Sequence, residues 1–249
     1  MRIHIVNPNT TRSMTDKIAA AARAVARAGT EILATQPDMG PVSIEGYYDE
    51  AYAIPGMLQR IREAEAAGTD AHVIACFDDT GLDAARAIAG APVVGIGEAG
   101  YHVASLIAGR FSIVTTLARS IPVMEHNLTR YGLVSRCARV RAAGIEVLAL
   151  EDPASGAVER ISAEIETAKA QDHAEAIVLG CAGMADLAAA LSQRHGLPVI
   201  DGVASAVALA EALVSIGART SKIGGYAPPL RKLYAGSFAP FAPRGVVQY

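Results

Sequence analysis

The chain has 249 residues, 51% of them hydrophobic and 19% charged, with 22 Lys and Arg against 25 Asp and Glu. That is enough apolar chain for one large or two ordinary domains with a substantial core, and it argues against disorder. A net charge of −3 without a basic run leaves no electrostatic footprint for nucleic acid or an anionic membrane as partner.

Met1-Arg2-Ile3-His4-Ile5-Val6-Asn7 runs straight into a strand near 2–7, which leaves no room for a secretory leader. The three cysteines fit neither a zinc spacing nor a disulfide framework, so a cytoplasmic protein with reduced thiols and no metal is expected. Apolar runs are broken by Glu98, Asp186 and Glu211, short of a membrane span. Along the first half the pattern predicts helices near 13–28, 50–66 and 81–89 between strands near 2–7, 31–36, 71–76 and 92–96. A long loop holding Ser43-Ile44-Glu45-Gly46 follows the second strand, a common place for a lid. The second half predicts strands near 111–115, 138–143, 175–180 and 198–201, with helices near 120–131, 157–171 and 184–195. Helices near 98–109 and 202–216 are read as crossings between two lobes. The Gly- and Pro-rich tail from Ala218 is read as irregular, with a short helical piece near 230–234. It is expected to strap the first lobe or to contact another copy.

The halves repeat. Cys181 follows Cys76 by 105 positions, Pro198 follows Pro92 by 106, and Arg119-Ser120 follows Arg12-Ser13 by 107. Strands alternating with helices, nearly all apolar, mean parallel sheets covered on both faces. The fold class is therefore α/β: two pseudo-symmetric flavodoxin-like lobes, each a four-stranded parallel sheet flanked by helices, with the active site between them. Residues 1–98 plus 206–249 are assigned to the first lobe and 99–205 to the second. In such a sheet strands one and three lie side by side, and ligands bind beyond their carboxyl ends.

Polar residues collect there. Cys76 ends the third strand of the first half and Cys181 that of the second, each before a helical segment. Buried cysteine is common as a small hydrophobe, but equivalent placement in two halves points to opposed acid/base groups. Unpaired N–H groups at a helix start lower a thiol pKa, so a usable thiolate is expected. Asn9 is a candidate for a substrate carbonyl. Asp79, with Asp78 and Thr80 beside it, either caps a helix or accepts a substrate N–H, and these acids should point away from the sulfur. Thr115 and Thr116 hold the matching place in the second half. Gly95-Ile96-Gly97-Glu98-Ala99-Gly100 copies the dinucleotide fingerprint, but it follows a fourth strand, and no acid ends the next one; its glycines are read as allowing the lobes to cross closely. Cys137 is read as structural, and none of the six scattered histidines is expected to be catalytic.

Asn7-Pro8-Asn9-Thr10, Ser43-Ile44-Glu45-Gly46, Ala75-Cys76-Phe77-Asp78-Asp79, Gly95-Ile96-Gly97-Glu98 and Gly180-Cys181-Ala182-Gly183-Met184 together resemble the hydantoin racemase family, a branch of the aspartate/glutamate racemase superfamily. The resemblance covers nearly the whole chain. It implies a cofactor-independent racemase of 5-monosubstituted hydantoins, a homo-oligomer, with Cys76 and Cys181 as catalytic bases. Asn9, Ile44, Glu45, Asp79, Thr80, Thr115, Thr116 and Gly183 are the expected substrate contacts. By analogy with the superfamily, Cys76 serves the D-isomer and Cys181 the L-isomer. Amino-acid racemases follow the first cysteine with Asn-Thr and the second with Thr; Phe77-Asp78-Asp79 and Ala182-Gly183 depart from that and favour a neutral ring. Allantoin racemisation by the same mechanism is the alternative. An amino-acid racemase, a decarboxylase or isomerase acting on a dicarboxylate, and a non-catalytic two-lobed binding protein are more distant ones.

Overall fold

In the computed structural model of the protein, residues 1–243 are described; residues 244–249, assigned from sequence to the first lobe, lie outside them. Apolar β-rich runs form β1 (Arg2–Val6), β2 (Glu31–Thr35), β3 (Ala71–Ile74) and β4 (Val93–Gly95), a parallel sheet in the order β2-β1-β3-β4. Their crossovers run through α1 (Arg12–Val25), α2 (Tyr47–Ala66) and α3 (Leu82–Ile88). After α4 (Ile96–Ile107), the pattern repeats as β5 (Phe111–Thr115), β6 (Cys137–Ala142), β7 (Ala176–Leu179) and β8 (Val199–Asp201), ordered β6-β5-β7-β8. Here the crossovers are α5 (Ile121–Arg130), α6 (Ala157–Thr167) and α7 (Ala188–His195), and α8 (Gly202–Ser215) follows β8.

One core cluster reaches from Ile3, Ile5 and Val73 of the first sheet, through Ala99 and Ala104 of α4 and Val203, Ala206 and Ala210 of α8, to Phe111, Ile113 and Val178 of the second. The two helices are therefore shared packing, not linkers. Their crossing is made by small residues. A Cβ on Gly202 would sit 2.5 Å from the Ile96 carbonyl oxygen, and one on Gly100 would sit 3.0 Å from Val178 and 3.7 Å from the Gly202 Cα. α8 is also tied to the first lobe by Glu211, a buried carboxylate that accepts the Arg27 N–H at 2.9 Å and the Thr30 hydroxyl at 2.6 Å.

The tail lies on the first lobe. Thr220 donates its N–H to Gly90 O and its hydroxyl to Ala91 O, Lys222 reaches Arg86 O, and Arg62 reaches Phe241 O. No helix forms at 230–234; short 3₁₀ helices occur instead at Gly224–Tyr226 and Gly236–Phe241. Leu233 is 97% exposed, so that segment has no buried face to repay the cost of nucleating a helix. Among the described residues no helix is long and apolar enough to cross a membrane.

Because the atom opposite Gly202 belongs to backbone, the crossing cannot give way by a rotamer change. Gly202→Ala is expected to destabilise the fold by about 1–3 kcal/mol, as overpacking does. A denaturant titration reads this, and an unchanged midpoint would mean that the helix pair has slack.

Candidate active site

Parallel pairing of β1 with β3 and of β5 with β7 brings the residues after each strand to the same end of its sheet. There a single cavity, with about 410 Å³ of atom-free space counting its mouth, is lined from both lobes. Its walls come in pairs related by the repeat: Cys76 and Cys181, Asn9 and Thr116, Phe77 and Ala182, and Ile44 and Val147 from the loops after the second strands. Both thiols are half-buried. The backbone N–H two residues on favours each thiolate, that of Asp78 for Cys76 and that of Gly183 for Cys181. The Thr80 hydroxyl donates a hydrogen bond to Cys76 Sγ at 3.3 Å.

Donors aimed at sulfur favour the thiolate, but burial outweighs them. With Asp78 adding to it, burial raises the Cys76 pKa well above the ordinary thiol value and that of Cys181 to about 11. The lowered thiol pKa expected from helix starts is not found. Cys181 leads into a two-turn 3₁₀ helix at Ala182–Leu187, and α3 has only seven residues behind a left-handed Gly81, so neither supplies a long dipole at the sulfur.

The adjacent acids part company. Asp79 turns away from the cavity, with φ +53°, and accepts the N–H groups of Gly97 at 2.9 Å and Glu98 at 2.8 Å and the Tyr131 hydroxyl at 2.7 Å. It caps α4 across the chain, and the fingerprint-like glycines make room for it: a Cβ on Gly95 would fall 2.0 Å from Asp79 Oδ1. The anion site of that sequence is thus filled by the protein's own carboxylate. Asp78, 7% exposed, lines the cavity, and among the described residues no group hydrogen-bonds its carboxylate. Burial, together with Glu50 and Asp79, lifts its pKa to about 7.

Of the other expected contacts, Asn9, Ile44 and Thr116 line the cavity. The Asn9 amide oxygen is held by Asn7 Nδ2 and Thr11 N, which leaves its Nδ2, against Met14 Sδ at 3.5 Å, as the free donor. Thr115 is turned into the sheet edge, its hydroxyl on Gly180 O at 3.0 Å. Glu45 accepts the Val147 N–H at 2.9 Å, latching the loop after β2 onto the second lobe. Gly183 contributes only its backbone: a Cβ there would meet Leu150 at 2.9 Å. Ser120, Met14 and Val147 line the cavity without having been singled out from sequence, although the repeated Arg-Ser pair pointed at Ser120. Among the described residues lining the cavity, none is Lys or Arg.

An acid whose folded pKa is about 7 against 3.8 binds its proton more tightly in the native state, so stability falls as pH rises from 4 through 7. Asp78→Asn removes that penalty, which is at most about 4 kcal/mol. Its melting temperature relative to the parent is expected to be higher at pH 8 than at pH 4; an equal difference at both pH values contradicts a buried, ionisable Asp78.

The family described as Asp/Glu/Hydantoin racemase matches residues 3–210. A hydantoin racemase of Rhizobium meliloti is 51% identical over 95% of this chain and 98% of its own, and one of Pseudomonas sp. (strain NS671) is 46% identical over 97% of each. Among solved structures, the allantoin racemase from Klebsiella pneumoniae superposes with a TM-score of 0.95 at 48% identity, covering 98% of this chain and 99% of that one. The protein is a racemase, and its chain belongs to the Asp/Glu/hydantoin racemase family.

Proposed function

We propose that this racemase interconverts the D- and L-forms of 5-monosubstituted hydantoins, without a cofactor, by moving a proton at C5 between Cys76 and Cys181. The observation that carries the reading is that the two thiols, from equivalent positions of the two lobes, line one cavity. A group on each side of a flat ring is what inversion at carbon requires: one thiolate removes the C5 proton from one face while the opposite thiol delivers a proton to the other. The hydrogen is acidic because it lies alpha to the C4 carbonyl, and its loss leaves an enolate. Asn9 Nδ2 and the Thr116 hydroxyl are the donors that can meet the developing oxyanion. Without a Lys or Arg among the described residues lining it, the cavity offers a substrate carboxylate only neutral donors, which suits an uncharged ring better than a free amino acid or a dicarboxylate.

By superfamily analogy, Cys76 takes the proton of the D-isomer and Cys181 that of the L-isomer. Cys76→Ser and Cys181→Ser are each expected to lower racemisation by about 10²–10⁴-fold or more, while each variant still exchanges the C5 hydrogen of one enantiomer in deuterated water. Polarimetry with proton NMR reads both effects; full racemisation by both single variants refutes the two-base reading.

Allantoin, a hydantoin with a ureido group at C5, is the second reading, raised by the allantoin racemase at 48% identity. Pro8, Met14, Ile44 and Val147 give the cavity an apolar wall, which suits a hydrocarbon substituent better than a ureido group. The expected kcat/KM is accordingly higher for 5-benzyl- or 5-isobutylhydantoin than for allantoin. Side-by-side rates decide, and a preference for allantoin transfers the assignment to it.

A further inference from the structure

The two-base reaction needs one thiolate, and both thiols in this cavity are held protonated. The proton that leaves must go somewhere. Histidine, the usual acceptor, is missing from the described residues lining the cavity, and so is any other base except one carboxylate, that of Asp78. The repeat makes this residue conspicuous: 105 positions after Asp78 stands Gly183, so the paired walls match at the thiols, at the donors and at the apolar contacts but not here. The backbone N–H of each of these two residues serves its own thiol in the same way, and only Asp78 carries a side chain that can hold a proton.

We propose that Asp78 is the proton acceptor that generates the active thiolate, so that Asp78, Cys76 and Cys181 work as three sites sharing two protons. The inference rests on the two-cysteine reading above. In the activating step the S–H bond of one cysteine breaks and an O–H bond forms on Asp78, leaving one thiolate, one thiol and one neutral carboxyl. The cluster carries one negative charge before and after, so no charge is added to a buried site, where adding one is costly. The neutral carboxyl also no longer repels the thiolate. The two assignments of the thiolate, to Cys76 or to Cys181, are the two forms that opposite enantiomers require, and Asp78 is felt by both sulfurs.

Asp78 is positioned for this role by groups from several elements. The Asn127 amide of α5 holds its backbone carbonyl at 2.9 Å. Around the carboxylate stand Glu50 of α2, Cys76 and Asp79 of its own loop, Cys181 from beyond β7 and Tyr101 of α4. None of these is a cation; Lys17 of α1 and Glu45 act in opposite directions on Cys181, and the field at Asp78 itself keeps it ready to take up a proton near neutrality, with its pKa at about 7.

The test is a pH profile of kcat/KM on a 5-substituted hydantoin for the parent, Asp78→Asn and Asp78→Glu, with Cys76→Ser and Cys181→Ser in the same assay. The parent should lose activity below about pH 7, where the cluster holds three protons. Asp78→Asn should lose about 10²–10⁴-fold in kcat at pH 7.5, with its acid limb moved up by two pH units or more. Asp78→Glu should restore part of the rate and return the limb toward neutrality. Circular dichroism checks that the variants fold. An Asp78→Asn enzyme with the parent's limb and a rate within threefold overturns the proposal. So does one whose KM rises while kcat and the limb stay, since Asp78 would then contact substrate only. If the serine variants remain fully active, the two-base reading itself fails; if they are inactive while Asp78→Asn is normal, only the role of Asp78 does.

Discussion

The close crossing of α4 and α8 governs the rest of the molecule. Each helix leaves the last strand of one sheet and packs in the core between both sheets, and Gly202 lets α8 approach the Ile96 carbonyl with no side chain between them. Two sheets joined this way present the carboxyl ends of their strands to one shared space. That is where a parallel sheet places its ligand, so two ordinary ligand crevices become one. The start of α4 is fixed by Asp79, reached across the chain and backed by Tyr131. The start of α8 is capped locally by Asp201, through Val203 N and Ala204 N. The same task is thus solved by a long-range contact in one half and a local one in the other.

Symmetry and its breaking then divide the chemistry. Inversion of a carbon centre treats both faces of the substrate alike, and the duplicated walls supply a thiol, an N–H aimed at that thiol, a polar donor and an apolar contact from each lobe. In the proposed reaction, loading one of two equivalent thiols with charge is an unsymmetrical task, and the Asp78 carboxylate, without a hydrogen-bond partner among the described residues and opposite Gly183 in the repeat, is suited to it. Burial of that carboxylate costs stability near neutral pH, the usual conflict between a working site and a comfortable one.

Much of this was legible in the sequence because it depends on local pattern. The alternation of strands and helices, the sheet order and the placement of Cys76 and Cys181 after third strands follow from apolar runs and a repeat of about 105 residues. What was not legible depends on contacts far apart in the chain. Nothing local says which of two neighbouring acids faces the ligand; that is decided by the left-handed turn at Asp79 and by partners 18, 19 and 52 positions away. Thr115 and Thr116 were equally open, since strand alternation sends one into the sheet edge and the other to the cavity, and the last strand residue cannot be placed to one position from sequence. The thiol pKa expectation failed for a further reason. A helix start behind each cysteine implies a strong dipole, whereas the structure has only short helices there and a desolvated cavity.

The proposed reaction is proton traffic between two faces of one carbon. The most direct measurement is the fate of the C5 hydrogen when the native enzyme converts a single enantiomer in deuterated water, sampled in the first few per cent of reaction. A thiol on each side predicts deuterium in nearly every product molecule and almost none in the recovered starting enantiomer. Product that keeps the original hydrogen, or starting material that gains deuterium as fast as product forms, would mean that one base serves both faces and would contradict the account.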